Sequence, residues 1–371
     1  MKKLVIIGAN DFQNQLILKA KTLGYETHVF AWRDGAVGEK TADYFYPISI
    51  IEKDSILEKC REIQPDGICS IASDLAAITV NFVAEALGLP CNATKYTEIQ
   101  TNKYAMRRAL SEAGIPCPRF VLADETSDLP ELVQGLRFPV IVKPTDRSGS
   151  RGIMKLETLH GMEQAVQEAC AASFEKRAII EEYIVGQEYS IETISYRGKH
   201  HFLAVTKKFT TGAPHFIETG HCQPSGLPEE TVSRAKEEMF RALDALHVEN
   251  SAGHGEFRVD DQGNIRFIEI GARMGGDCIG SDLVYLSTGH DFLKMVVDVA
   301  CGQVPELATT PTCKKAEIRF LFSQEDVENF SRWKEINGEK LYRVSDFDMS
   351  HCGSVTDSST RIGYFIFCQK E

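Results

Sequence analysis

The stretch from Glu256 to Glu269 constrains this chain more than any other, because it reads as a hairpin with a carboxylate on each arm. Alternation places Phe257 and Val259 on one face with Ile268 and Ile270, while Asp261 to Asn264 carries the chemistry of a four-residue turn. Glu256 then lies opposite Glu269, with Cβ atoms roughly 4.5–5.5 Å apart. Two anions at that spacing repel unless a cation sits between them. Neutralising one of them should therefore relieve the metal-free protein. Hard oxygen donors in so small a number suit Mg²⁺ shared with phosphate groups. The plain alternative is a surface hairpin whose acids pair with Arg258 and Arg266.

The neighbouring residues bear on that choice. Gly271-Ala-Arg273-Met-Gly275-Gly276-Asp277 follows directly, setting a guanidinium and a glycine pair beside the acids. Arginine clamps phosphate or carboxylate bidentately, and glycines let backbone N–H groups approach an anion. Upstream, residues 139–144 read as a buried strand that ends in Lys143, a charge that needs a partner. Ser148, Gly149, Ser150, Arg151 and Gly152 then form a donor-rich loop that matches neither the Walker pattern nor the dinucleotide fingerprint.

With Thr101-Asn102-Lys103 and Met106-Arg107, then Gly114-Ile115-Pro116, Ile180-Glu181-Glu182-Tyr183-Ile184 and Gly186-Gln-Glu188, these motifs stand in the order of the ATP-grasp superfamily. The chain resembles its carboxylate–amine ligases, in the branch of amino-acid ligases and the carbamoyl-phosphate synthase large chain, from the first strand to about Gly302. The resemblance implies an α/β and α+β fold. Residues 1–94 would form a parallel-sheet, Rossmann-like domain, and 95–310 an ATP-grasp domain of two α+β subdomains with a glycine-loop lid at about 119–185. Residues 311–371 would form a small β-rich piece. It implies ATP and one or two Mg²⁺ ions, with Mn²⁺ admitted. Lys103, Lys143, Ser148, Gly149, Ser150 and Gly152 would hold phosphates; Glu181, Glu182, Tyr183 and Ile184 would hold adenine, and Glu188 the ribose. Glu256 and Glu269 would be the metal acids, with Arg273 and Lys143 acting in catalysis. Most members carry asparagine two residues after the second metal acid, where this chain has Gly271.

Residues 214–226 are irregular and polar, and in such ligases this region lines the amino-acid pocket. Glu218, His221 and Ser225, with Gly275 and Gly276, are the substrate candidates: Glu218 for an ammonium, His221 for positioning or deprotonating the amine. His215 and His221 could equally serve neighbouring loops. His215, His221 and Cys222 match no usual zinc spacing. Lys207 and Lys208 end the preceding strand, and one of them should face the phosphates.

The first ninety residues alternate strand and helix: strands at 3–7, 27–32 and 67–72, helices at 12–23, 54–63 and 75–87. Asn10 and Asp74 lie at the carboxyl ends of strands, where such sheets bind ligands, although helix capping would explain them as well. Strands are expected at 313–322 and 363–368, and Trp32 and Trp333 in the core. With 371 residues and 43% hydrophobic content the chain can fill two or three packed units. Its net charge of −12 argues against a nucleic-acid surface, and no apolar run suits a membrane span. Eleven cysteines without a C-x-x-C pair suggest reduced thiols in a cytoplasm.

The expected reaction joins a small-molecule carboxylate to an amine through an acyl phosphate, releasing ADP and phosphate. A homodimer is left open. Two alternatives stand beside it: a carboxylase that forms carboxyphosphate from bicarbonate, and a nucleotide-binding regulator without turnover.

Overall fold

The computed structural model describes residues 1–147, 152–213, 216–307, 310–353 and 355–369. The chain opens with four parallel strands, β1 (Lys3–Ile7), β2 (Glu26–Phe30), β3 (Tyr44–Tyr46) and β4 (Gly67–Cys69), in the order β3-β2-β1-β4. Leu4 to Ile7 are fully buried, as strands covered by helices on both faces require. Asn10 caps the helix Asp11–Thr22 by accepting from the Phe12 and Gln13 N–H groups. In the helix Asp74–Leu87 the cap is Ser73, not Asp74, and Gly88 closes it at φ +71°. Trp32 departs from expectation: it lies just beyond β2 and is 64% exposed.

A second sheet holds β5 (Phe120–Ala123), β6 (Val140–Pro144), β7 (Met154–Leu156) and β8 (Ala178–Glu182), antiparallel in the order β5-β8-β6-β7. Val140, Val142 and Ile180 pack against Ala165, Val166 and Ala169 of the helix Met162–Ala172. Lys143 therefore stands at the end of a buried strand. Ser148, Gly149 and Ser150, between β6 and β7, lie outside the described residues.

The third sheet has eight strands: β9 (Gln187–Tyr196), β10 (Lys199–Thr210), β11 (Glu218–Gln223), β12 (Ser251–Val259), β13 (Ile265–Gly271), β14 (Lys315–Leu321), β15 (Leu341–Val344) and β16 (Gly363–Gln369). Its order is β13-β12-β9-β10-β11-β14-β16-β15, so the C-terminal strands β14, β15 and β16 extend the sheet that carries the Glu256 hairpin.

That hairpin has Glu256 opposite Glu269, as alternation implies, but the register shifts immediately afterwards. Phe257 faces Phe267, which leaves Ile268 as an extra residue, a β-bulge. Phe257, Ile265, Phe267 and Ile270 then share one core, whereas Ile268, expected there, lines the cleft on the other face. Arg107, 1% exposed on the helix Lys103–Glu112, donates to the carbonyls of Phe267 and Ile268 and fixes the bulge. No helix among the described residues is long and apolar enough to cross a membrane.

Candidate active site

A cleft separates the second sheet from the third, lined by Lys143, Glu181, Tyr183 and Ile184 on one wall and by Glu188, Lys208, Glu256 and Glu269 on the other. The two opposed acids are not left to repel each other. Lys208 Nζ lies 2.5 Å from Glu256 Oε1, and Lys103 Nζ lies 2.7 Å from Glu269 Oε1. Lys208 is also 3.1 Å from Glu188 and 3.7 Å from Glu218, while Lys207 turns towards the Phe209 ring. Of the two lysines, Lys208 is thus the one in the cleft. Burial would lower both lysine pKa values, but the facing acids win: Lys103 is raised, and Lys208 is held well above its usual value. Burial likewise opposes ionisation of Glu256, yet Lys208 and His254 hold its carboxyl well below the usual range. Neutralising Glu269 would therefore leave buried Lys103 without its nearest acid rather than relieve repulsion.

Arg258 is not a partner of these acids. Its guanidinium bonds Glu188 at 2.8 Å and the Ile184 carbonyl at 2.8 Å, and lies 4.7 Å from the Tyr183 ring centre. Arg266 is exposed.

On the opposite wall Glu181, 3% exposed, receives Lys143 at 2.5 Å and Arg107 at 2.7 Å. Burial pushes its carboxyl up, but the two cations prevail and bring it down to about 2. Glu182 pairs with Arg137 at 3.1 Å. Gly152, the described end of the expected phosphate loop, adopts φ +67°.

At the end of β13, Arg273 Nε bonds Asp74 Oδ1 at 3.0 Å and so joins the hairpin to the N-terminal sheet. Asp74 is therefore more than a helix-start residue. The pair also accounts for Gly271: a Cβ there would lie 3.1 Å from Arg273 Nε and 3.2 Å from Asp74 Oδ1. An asparagine there would have to push the Arg273 and Asp74 side chains aside.

The acceptor candidates lie towards the C-terminal strands. Glu218 accepts a hydrogen bond from Ser358 at 2.8 Å. His221 is fully buried, edge-on to Phe320, with Nε2 3.6 Å from Asp277 Oδ2 and neither ring nitrogen in a hydrogen bond. Asp277 is held by both terminal nitrogens of Arg361, at 2.9 and 2.6 Å, and this guanidinium keeps the Asp277 carboxyl below its usual range despite burial. The Ser225 hydroxyl accepts the Leu227 N–H at 3.3 Å, a local turn contact. Gly275 N–H donates to Glu192 at 3.2 Å, and Gly276 packs beside Ala72 of the N-terminal region.

Among the described residues no group of three or more His, Cys, Asp or Glu could by itself hold a metal ion. Two opposed carboxylates do fit a magnesium ion that takes its remaining ligands from phosphate and water. The lysines now against them mark where positive charge is favoured.

Residues 136–282, which contain Lys143, Glu181, Glu256, Glu269 and Arg273, match the ATP-grasp domain family. The chain carries an ATP-grasp domain. Among curated proteins it is similar to carnosine synthase 1 of Homo sapiens, at 22% identity over 84% of this chain and 41% of the relative. It is also similar to alanine–anticapsin ligase of Bacillus subtilis, at 27% identity over 70% of this chain and 61% of the relative. The chain thus spans less than two thirds of these relatives' length. The solved L-amino acid ligase of Bacillus licheniformis shares the fold, with a TM-score of 0.82 at 23% identity, over 100% of this chain and 94% of that one.

The roles of several residues around the cleft escaped the sequence reading. Arg107 and Asp74 carried no assigned partner and Arg258 was set against the hairpin acids; their actual contacts come from elements distant in sequence. The buried pair Glu192 and His254 went unread, although β9 and β12 set them directly opposite each other.

Proposed function

We propose that this chain is an ATP-dependent ligase that joins a carboxylate to an amine, releasing ADP and phosphate. The observation that carries the reading is the opposed pair Glu256 and Glu269, each met by a buried lysine in a cleft whose other wall presents Lys143. Tyr183 and Ile184 would border adenine, with Glu181 and Glu182 behind them, and Glu188 would face the ribose. Lys103, Lys143 and the segment 148–152 would hold the phosphates. Magnesium, when bound at Glu256 and Glu269, supplies charge neutralisation to the terminal phosphates.

A carboxylate oxygen of the first substrate attacks the γ-phosphorus in line, and the bond to the β-phosphate bridging oxygen breaks. Arg273 and the Gly276 backbone stabilise charge on the transferred group, while the Gly275 N–H, held by Glu192, fixes the turn. The amine nitrogen then attacks the acyl carbon and phosphate leaves. Glu218 orients the amine as its ammonium and accepts the proton it sheds before attack, while His221, fully buried beside Asp277, positions the same strand from behind. That the substrates are amino acids is supported by the names of the L-amino acid ligase and the alanine–anticapsin ligase.

The test is phosphate release from ATP and Mg²⁺ with pools of amino acids, with and without bicarbonate. Release that needs amino acids but not bicarbonate is expected. Dependence on bicarbonate would transfer the chain to the carboxylases, and nucleotide binding with no release in any pool would make it a regulator.

A further inference from the structure

Behind the opposed acids lies a second polar row. On alternate rungs of the sheet, which share a face, Glu192, His254 and Gly271 stand side by side, then Ser190, Glu256 and Glu269. Glu192 is fully buried, yet it is saturated: Oε1 takes His254 Nδ1 at 2.5 Å and the Ser190 hydroxyl at 3.3 Å, and Oε2 takes the Gly275 N–H at 3.2 Å. The other ring nitrogen of His254, Nε2, points at Glu256 Oε1, 3.4 Å away. One buried acid–imidazole pair thus touches both the proposed metal acid and the backbone that follows Arg273.

Stability alone does not account for this arrangement. A buried ionic pair is often no more stabilising than apolar residues of the same size, and this one stands where the rest of the hairpin packs phenylalanine and isoleucine on the opposite face. It also imposes a sequence constraint: a Cβ at Gly275 would lie 2.8 Å from His254 Nδ1 and 3.0 Å from both Glu192 oxygens. The turn is built against the pair.

We propose that Glu192 and His254 are positioning residues that lock the Glu256 carboxylate and the Gly275 turn into one rigid unit, so that metal and phosphate meet a preset geometry. His254 acts through Glu256 and touches no substrate. The inference rests on the ligase reading, since it takes Glu256 as a metal acid. Partners of this kind behind a metal ligand alter metal affinity or activity about 10- to 100-fold.

The test measures ADP affinity by calorimetry with and without Mg²⁺ for the wild-type chain, His254→Ala, Glu192→Gln and Gly275→Ala, with melting curves alongside. In His254→Ala the affinity without Mg²⁺ should stay within about twofold, and the enhancement by Mg²⁺ should fall about tenfold. Gly275→Ala, which removes no polar group but crowds the pair, should lose a similar share. Glu192→Gln keeps an acceptor for the Gly275 N–H and should retain part of it. The last two variants keep the test open if His254→Ala does not fold. A lowered melting temperature with the Mg²⁺ enhancement intact would make the pair structural and overturn the inference. If Mg²⁺ brings no enhancement even in the wild-type chain, the metal assignment of Glu256 falls, and the inference with it.

Discussion

The nucleotide wall and the acceptor wall of this cleft are built on different plans. On the nucleotide wall Glu188, Lys208 and Glu256 come from adjacent strands of one sheet, and each charge meets its opposite within about 3 Å. On the acceptor wall Glu218 and its partner Ser358 lie 140 residues apart, and His221 is buried without a hydrogen bond to either ring nitrogen. The first wall is electrostatically complete before any ligand arrives, and a ligand must displace protein contacts to bind. On the second, Glu218 lines the cleft where a ligand can reach it, while His221 stays closed off behind it. Nucleotide binding should therefore tolerate changes on the acceptor wall, while changes on the nucleotide wall should disturb stability and binding together.

The harshest test of that contrast is Glu269→Gln. Phosphate release should fall roughly 10²- to 10³-fold. Because Lys103 loses its nearest acid, stability should also drop by about 1–3 kcal/mol, read from urea unfolding. A variant more stable than the parent would mean that the lysines do not neutralise the acids.

Next comes acid sensitivity. Glu181 titrates near 4.5 when exposed and at about 2 in the fold, so its contribution is complete above 4.5 and is lost as pH falls towards 2. At about 1.4 kcal/mol per unit the gap amounts to roughly 3 kcal/mol. Urea midpoints followed between about pH 6 and about pH 2 should therefore fall less steeply in Glu181→Gln than in the parent.

Lys143→Ala should weaken ATP binding about 10- to 30-fold by calorimetry, and an unchanged affinity would mark Lys143 as structural. Arg361→Met, which removes the donor that holds Asp277 and the Glu218 and Ser358 carbonyls in place, should leave nucleotide affinity alone and raise the KM of the amine about tenfold. An equal loss of nucleotide affinity would break the separation of the walls. The smallest effect belongs to Asn10→Ala, which removes a helix cap and should cost about 1 kcal/mol with kinetics unchanged.

What the sequence disclosed follows the range of its signals. The first sheet and its helices were legible because hydrophobic period and caps such as Asn10 are local, and the pairing of Glu256 with Glu269 was legible because strand period is short. β3, three residues long, and β15, four, are too short to show a period. Alternation puts Lys207 and Lys208 on opposite faces but does not say which face is the cleft. Gly271 read as a loss; its reason, Asp74, comes from the other end of the fold. The pair Glu192 and His254 becomes visible only once β9 and β12 are known to be neighbours.

The extra residue at Ile268 changes the phase of its strand. With strict alternation, Ile265 and Phe267 in the core would carry Glu269 into the core after them. One unpaired residue resets the count, so the strand shows an apolar surface before the bulge and its acid to the cleft after it, and returns Ile270 inward. Pairing Ile268 as an ordinary rung would exchange the inward and outward sides of everything beyond it while changing no charge. The chemistry of this hairpin therefore depends on a parity, held in place by an arginine that the hairpin itself does not contain.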